Sequence, residues 1–196
     1  MMRLFIALPL SADVRRYLGS IISDLKTENS PTRWVRSDNI HLTLRFLGDT
    51  PDKLVTDLCK LLDDVAKNHT TINSNIVSLG AFPNLIRPRV IWAGLEDEQN
   101  GQAGQDGIAQ LVTLAKSVED GVRTLGFDPE NRPFRPHLTL ARIKEHRDTG
   151  DISESVGRYS FSKIQLNLDR IILFKSTLTS KGPIYEALHT ALFDQQ

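Results

Sequence analysis

The chain has a single cysteine, Cys59, in 196 residues. No intrachain disulfide can form, and a cysteine-rich metal site cannot be built; a reducing cytoplasm is the compartment that suits such a composition. Net charge is also missing, since Lys plus Arg (24) cancels Asp plus Glu (24). The whole-molecule field that marks a general binder of nucleic acid or anionic membrane is therefore absent, and any contact with a polyanion must come from a local patch. No stretch approaches the roughly 20 apolar residues that span a bilayer. The opening run, Met1 to Leu10, is broken by Pro9 and followed by Asp13, Arg15 and Arg16, which fits a buried first strand better than a secretory leader. With 40% hydrophobic and 24% charged residues, the chain is far from the composition of disordered proteins. What remains is a soluble globular chain long enough for one domain or two small lobes.

Apolar residues Val14, Tyr17, Leu18, Ile21, Ile22 and Leu25 follow Ser11 at the spacing of one helix face, with Ser11 as its cap. A second helix is expected from Thr50 as cap and Pro51 as first residue, through Leu54, Val55, Leu58, Leu61, Leu62 and Val65. A third carries Ile108, Leu111, Val112, Ala115, Val118, Val122 and Leu125 and ends at Gly126. A short fourth follows Asp151. Strand-like runs lie at 4–8, 40–47, 72–79, 90–95, 137–143, 161–168, 170–178 and 184–192. Without a strict strand–helix alternation, the expectation is α+β with antiparallel sheets and helices packed outside. The polar segment 96–107 reads as a flexible surface loop, with a lobe boundary near it.

The tetrapeptide His-Leu-Thr-Leu occurs twice, at His41 to Leu44 and at His137 to Leu140. In a strand, residues i and i+2 share a face. Each copy therefore sets an imidazole beside a hydroxyl, His41 with Thr43 and His137 with Thr139, while the leucines anchor the other face in a core. Two such strands across a cleft supply an acid and a base near neutral pH and two hydroxyls for the non-bridging oxygens of a phosphate. That set suits in-line displacement at phosphorus without a metal. The rival readings are packed strand histidines, or a metal site, for which two histidines without a matching carboxylate are a poor ligand set. His69-Thr70-Thr71 meets only the looser His-x-Thr pattern and serves as a decoy.

Other segments carry a resemblance. Phe5-Ile6-Ala7-Leu8, Trp34-Val35, the run Ile40 to Gly48, Phe82-Pro83, Arg87 to Leu95, Gly126-Phe127, Phe134 to Arg142, Phe174-Lys175-Ser176, Gly182-Pro183 and Tyr185 together resemble the 2H phosphoesterase superfamily. Within it they resemble the RNA 2',3'-cyclic phosphodiesterases, historically called 2'-5' RNA ligases. The resemblance covers nearly the whole chain. It implies a single domain of two intertwined lobes related by a pseudo-two-fold axis, each giving one His-x-Thr strand to a central cleft. It implies opening of a terminal 2',3'-cyclic phosphate to a 2'-phosphomonoester, with His41 as proton donor to the departing 3' oxygen and His137 as proton acceptor from water. In the ligase direction the same groups would join the cyclic phosphate to a 5'-hydroxyl in a reversible 2'-5' linkage.

The expected partner is RNA or an oligonucleotide with a cyclic phosphate end. No cofactor, metal or membrane is expected, and the chain is expected to act as a monomer. The family pattern also points to the residues five after each histidine, Phe46 for base stacking and Arg142 for phosphate or base. Strict alternation puts an offset of five on the wrong face unless a bulge intervenes, so Arg45, at an offset of four, is a further candidate. Arg132, Arg135, Arg142, Lys144 and Arg147 outnumber Glu130 and Glu145 locally, and Arg33, Arg36, Arg87 and Arg89 extend this basic rim. Trp34 and Trp92 read as core or lobe-interface residues, and Cys59 as helix filling. The alternatives are a module that binds a nucleotide or RNA end without turnover, and a phosphodiesterase of a small cyclic nucleotide.

Overall fold

In a computed structural model of the chain, residues 1–26, 32–96, 107–143, 150–180 and 182–194 are described. Residues 97–106 of the loop expected over 96–107 and the charged residues Lys144, Glu145 and Arg147 lie outside them, while Glu96 ends β5 and Gly107 starts α3. The strands are β1 (Met2–Pro9), β2 (Thr32–Trp34), β3 (His41–Thr50), β4 (Ile72–Phe82), β5 (Val90–Glu96), β6 (His137–Ile143), β7 (Ile164–Leu168), β8 (Arg170–Thr179) and β9 (Gly182–Leu192). The helices are α1 (Ala12–Leu25), α2 (Val55–Ala66), α3 (Gly107–Thr124) and α4 (Gly150–Arg158).

All nine strands join in one sheet, in the order β7-β4-β5-β6-β3-β1-β8-β9, with β2 alongside β6. The strand pairs are antiparallel. The two expected sheets are thus halves of one, and they meet at β3 and β6 through a single registered pair, Leu42 with Leu138. These are equivalent positions of the two tetrapeptides, so the pseudo-two-fold axis passes through that pair. The lobe boundary does not fall at 96–107. That segment joins β5 to α3, between strands of one half, and the chain changes halves on entering and leaving β2, after α2 and after β7.

Helices α2 and α3 pack on each other. The first covers β8 and β9, and the second covers β3, β4 and β5. Helix α4 lies on β4 and beside α1. The core sits between helices and sheet, with Leu4, Ile6, Leu8, Leu42, Leu138 and Leu140 on the sheet side against Leu18, Ile21, Leu58, Leu62, Leu111 and Val118.

The caps follow local chemistry. The Ser11 hydroxyl accepts from the Val14 amide at 3.3 Å and starts α1. Gly126, at φ +90°, ends α3 in a Schellman arrangement, its N–H donating to Arg123 and that of Phe127 to Val122. The second helix departs from expectation. Thr50 is the buried last residue of β3, paired with Met2, and its hydroxyl donates to Gly48 instead of capping. The chain passes through a 3-10 turn, Asp52–Leu54, before α2 begins at Val55. On α3, Val112 is 46% exposed and Leu114 is buried in its place, because the stripe through Leu111, Ala115, Val118 and Val122 turns Leu114 inward.

Trp92 lies flat on the sheet over two glycines. A Cβ at Gly80 would stand 2.4 Å from the indole, and one at Gly94 would stand 2.7 Å from it. Gly80→Ala is expected to lower stability by about 1–3 kcal/mol through overpacking, read as a shift in the urea midpoint with an unchanged slope.

Candidate active site

The two tetrapeptides adopt the alternation their sequence implies. Leu42, Leu44, Leu138 and Leu140 are buried, while His41, Thr43, His137 and Thr139 are partly exposed on the opposite face. The antiparallel register about Leu42 and Leu138 sets His41 opposite Thr139 and Thr43 opposite His137. In a regular antiparallel pair cross-strand neighbours have Cβ atoms about 4.5–5.5 Å apart and diagonal neighbours, the relation of the two histidines, about 7–8 Å. Each imidazole thus has one hydroxyl on its own strand and another across the seam.

Both rings are held the same way. His41 Nδ1 lies 2.8 Å from the Asn39 carbonyl and His137 Nδ1 2.7 Å from the Arg135 carbonyl, each two residues back. A carbonyl only accepts, so Nδ1 carries a proton and donates. Nε2 is left for the cleft, as a base when the ring is neutral and as an acid when it is charged. The delivering segments are fixed in turn. Pro136 holds Arg135 extended, and the Asn39 side-chain amide donates to the Pro183 carbonyl at 2.9 Å, tying the approach to His41 to the start of β9. The positioning of His41 through Asn39 had no signal in the tetrapeptide.

The surroundings of the two rings differ. His41 is flanked by Phe5 at 4.9 Å, Tyr185 at 5.4 Å and Phe174 at 6.2 Å between ring centroids. His137 meets Phe82 edge-on at 5.1 Å, and Trp92 pairs with Thr139 from β5. Burial first, then the charges of Arg142 and His137, lower the pKa of His41 to about 4, against the opposing pull of the Asn39 carbonyl. Burial raises that of Tyr185, against Arg142 and Arg3. Arg142 is therefore close enough to act on His41 from the other half of the sheet.

A bulge places it there. Opposite β5, Ile91 pairs with Ala141 and Trp92 with Thr139, leaving Leu140 as the extra residue. Opposite β1, Ile6 pairs with Arg45 and Ala7 with Thr43, leaving Leu44 as the extra one. Each bulge sends two consecutive residues to the core side and returns the residue at an offset of five to the histidine face. Arg142 is exposed there, and Phe46 is 57% exposed, 6.0 Å from Phe5.

Arg45 is not brought to the cleft. Its side chain is only 11% exposed, and its Nε lies 2.7 Å from a Glu119 carboxylate oxygen on α3. It also reaches Glu130 at 3.7 Å and donates to the Asp128 carbonyl. Phase, not sequence offset, decides this, because the bulge at Leu44 turns Arg45 inward. Arg45→Ala leaves Glu119 without its counter-charge, and a loss of about 3 kcal/mol is expected, near the low end for a broken buried pair because Glu119 stays partly wet. Denaturant unfolding checks the loss, and an unchanged KM in the folded fraction separates this role from substrate binding.

The remaining sequence candidates fall elsewhere. His69 sits with Ser117 at 3.3 Å and Phe193, away from the cleft. Burial and Asp63 push the Cys59 thiol up, away from nucleophile chemistry. Trp34 is partly buried and pairs with Ala141 from β2. A cavity of about 480 Å³ opens beside Phe46, lined by Arg45, Leu54, Phe127, Asp128 and Glu130 among others. Among the described residues no three His, Cys, Asp or Glu side chains form a group that could hold a metal ion, and no helix is long and apolar enough to cross a membrane.

Residues 8–92 and 104–185 match the family model described as LigT like Phosphoesterase. The chain belongs to this family. It is 28% identical to an RNA 2',3'-cyclic phosphodiesterase of Thermotoga maritima over 98% of this chain and 96% of that one. It is 35% identical to a protein of the same name from Aquifex aeolicus over 78% and 77%. Among solved structures, a Thermus thermophilus protein superposes with a TM-score of 0.76 at 26% identity, covering 98% of both chains. LigT of E. coli, in a complex with 3'-AMP, superposes with a TM-score of 0.74 at 22% identity, covering 99% of both, and shares the fold. The chain is therefore an enzyme of the LigT-like phosphoesterases, within the 2H phosphoesterase superfamily.

Proposed function

We propose that this phosphoesterase hydrolyses the terminal 2',3'-cyclic phosphate of RNA to a 2'-phosphomonoester by two-histidine acid–base catalysis, without a metal. The observation that carries the reading is the pair of imidazoles on one cleft face, each with Nδ1 held by a carbonyl two residues back and Nε2 left free. The names of the relatives support the substrate.

Water attacks phosphorus in line with the 3' oxygen, and His137 Nε2 takes the proton that the water loses. The P–O3' bond breaks, and protonated His41 gives its Nε2 proton to the departing 3' oxygen, leaving a 2'-phosphate. The assignment follows from access: His41 is boxed by three aromatic rings where a nucleoside packs, and His137 is the more open ring, where water arrives. The Thr43 and Thr139 hydroxyls donate to the two non-bridging oxygens. Arg142 holds the phosphate charge, and Phe46 offers an exposed face for the terminal base. With a 5'-hydroxyl in place of water as the nucleophile, the same displacement forms a 2'-5' linkage and frees the 3'-hydroxyl.

The test is incubation of the purified protein, in excess chelator, with a short RNA ending in 2',3'-cyclic phosphate, followed by mass spectrometry and mapping of the phosphate. A 2'-phosphate product is expected. A 3'-phosphate product would reverse which ring oxygen leaves, a requirement for added metal would remove the metal-free mechanism, and binding without turnover would make the cleft a recognition module.

A further inference from the structure

Arg33 and Arg142 share one face of the sheet at one end of the cleft, and the segments bordering that end carry Arg36, Arg87 and Arg89. Arg142 on β6 is the direct cross-strand partner of Arg33 on β2, so the two guanidinium side chains leave the same face of the sheet side by side. Directly opposed like charges weaken a strand pair, and neither arginine has a carboxylate partner among the described residues. Arg36 follows just beyond β2. Arg87 and Arg89 come from the connection between β4 and β5, which docks here through the Ile143 amide on the Arg89 carbonyl at 2.9 Å. That connection is ordered, its turn closed by the Asn84 side chain accepting from the amides of Ile86 and Arg87 at 3.0 Å. Arg33, Arg36, Arg87, Arg89 and Arg142 are all exposed, and none forms an ion pair among the described residues, where the exposed Asp38 is the one acidic residue close in sequence. Elsewhere on the surface some arginines pair, Arg16 with Asp13, Arg132 with Glu130, Arg158 with Glu154 and Arg170 with Asp169, while the exposed Arg3, Arg123 and Arg135 form no ion pair among the described residues, so what sets this end apart is the clustering of its arginines.

The pseudo-two-fold counterpart of this end has no such excess of positive charge. There Phe46 stands where Arg142 stands here, and of the acidic residues lining the neighbouring cavity Glu130 is paired with Arg45 and Arg132 and Asp49 stands opposite Arg3, with Asp128 beside them. A polyanion lying in the cleft meets attraction at one end and none at the other, so its direction is set.

We infer that the RNA strand upstream of the cyclic phosphate leaves the cleft over the Arg142 end, its backbone phosphates received by Arg33, Arg36, Arg87 and Arg89. This rests on the cyclic phosphodiesterase reading and adds to it that oligonucleotides are the preferred substrate class, over mononucleotides. The arginines would act on binding of the upstream strand, and the chemistry at the end would be the same for both.

The experiment compares kcat/KM on a nucleoside 2',3'-cyclic phosphate, which has no upstream phosphate, with that on a hexanucleotide ending in the same cyclic nucleotide, across salt concentrations. The wild type is expected to favour the hexamer, with a preference that decays as salt rises by about 0.7 log units per log unit of salt for each phosphate contact. The triple variant Arg33→Gln, Arg87→Gln, Arg89→Gln is expected to lose tenfold or more on the hexamer and to stay within twofold on the mononucleotide, which also shows that it folds. The corresponding triple lysine variant, keeping the charge, should retain most of the hexamer preference. Equal losses on both substrates, or no loss on the hexamer, would overturn the inference. A wild type that opens both substrates equally, with no salt dependence, would overturn it and leave the cyclic phosphodiesterase reading standing. A wild type that opens neither would overturn that reading itself.

Discussion

His41→Ala and His137→Ala are each expected to lower kcat for cyclic phosphate opening by roughly 10²–10⁴-fold, the span of a single acid or base in proton transfer. Because both act in one step, the double variant should lose much less than the product of the two single losses. The two residues are told apart by the leaving group. A p-nitrophenyl phosphodiester expels a phenolate that needs no proton, so a variant lacking only the acid keeps its turnover on that compound, and a variant lacking the base does not. Retention by His41→Ala and loss by His137→Ala is the expected pattern. The reverse pattern exchanges the roles, and loss in neither removes acid–base catalysis by these residues. Neither change should unfold the chain, since both rings are only partly buried at the surface of the cleft and the leucines beside them hold the core.

The duplicated tetrapeptide makes the candidate histidine pair legible in the sequence, because a period of two in a strand fixes which residues share a face. It could not place the residues beyond it. The bulges at Leu44 and Leu140 shift the phase by one residue, and an apolar side chain at the bulge looks the same in the sequence as one in a regular strand. Arg45 was therefore a candidate by parity and is a core-side ion pair in the fold, while Phe46 and Arg142 reach the cleft face. The aromatic wall around His41 escaped for another reason: Phe5, Phe174 and Tyr185 come from strands far apart in sequence that only the sheet order brings together. The helices were legible by their stripes. The start of α2 was not, because Thr50 has a good capping side chain that strand pairing with Met2 had already taken. The seam at Leu42 and Leu138 shows why the lobes could be counted but not delimited: each half of the sheet borrows strands from both halves of the chain.

In the empty cleft His41 is neutral near pH 7, since its pKa is lowered to about 4, yet its proposed part is to give a proton. The proton must therefore arrive with the substrate. Lowering the pKa from 6.5 to about 4 corresponds to about 3 kcal/mol, and an anion about 4 Å from the ring is worth about 4 kcal/mol at an effective dielectric constant near 20. A phosphate seated between Arg142 and His41 is thus sufficient to restore the charged ring. Binding of sulfate, which does not titrate in this range, is expected to take up close to one proton at pH 6 and to strengthen as pH falls, read by calorimetry in two buffers of different ionisation heat. His41→Gln should abolish that uptake, and uptake that persists in it would assign the proton elsewhere. Stability follows the same linkage with a definite sign. Between pH 6.5 and about 4 the unfolded chain binds a proton at this position that the folded chain refuses, so this contribution to stability is whole above pH 6.5 and declines by about 3 kcal/mol on acidification to pH 4. Sulfate should recover most of it in the wild type and none of it in His41→Gln, because the anion raises the folded-state pKa toward the unfolded one only where there is an imidazole to charge.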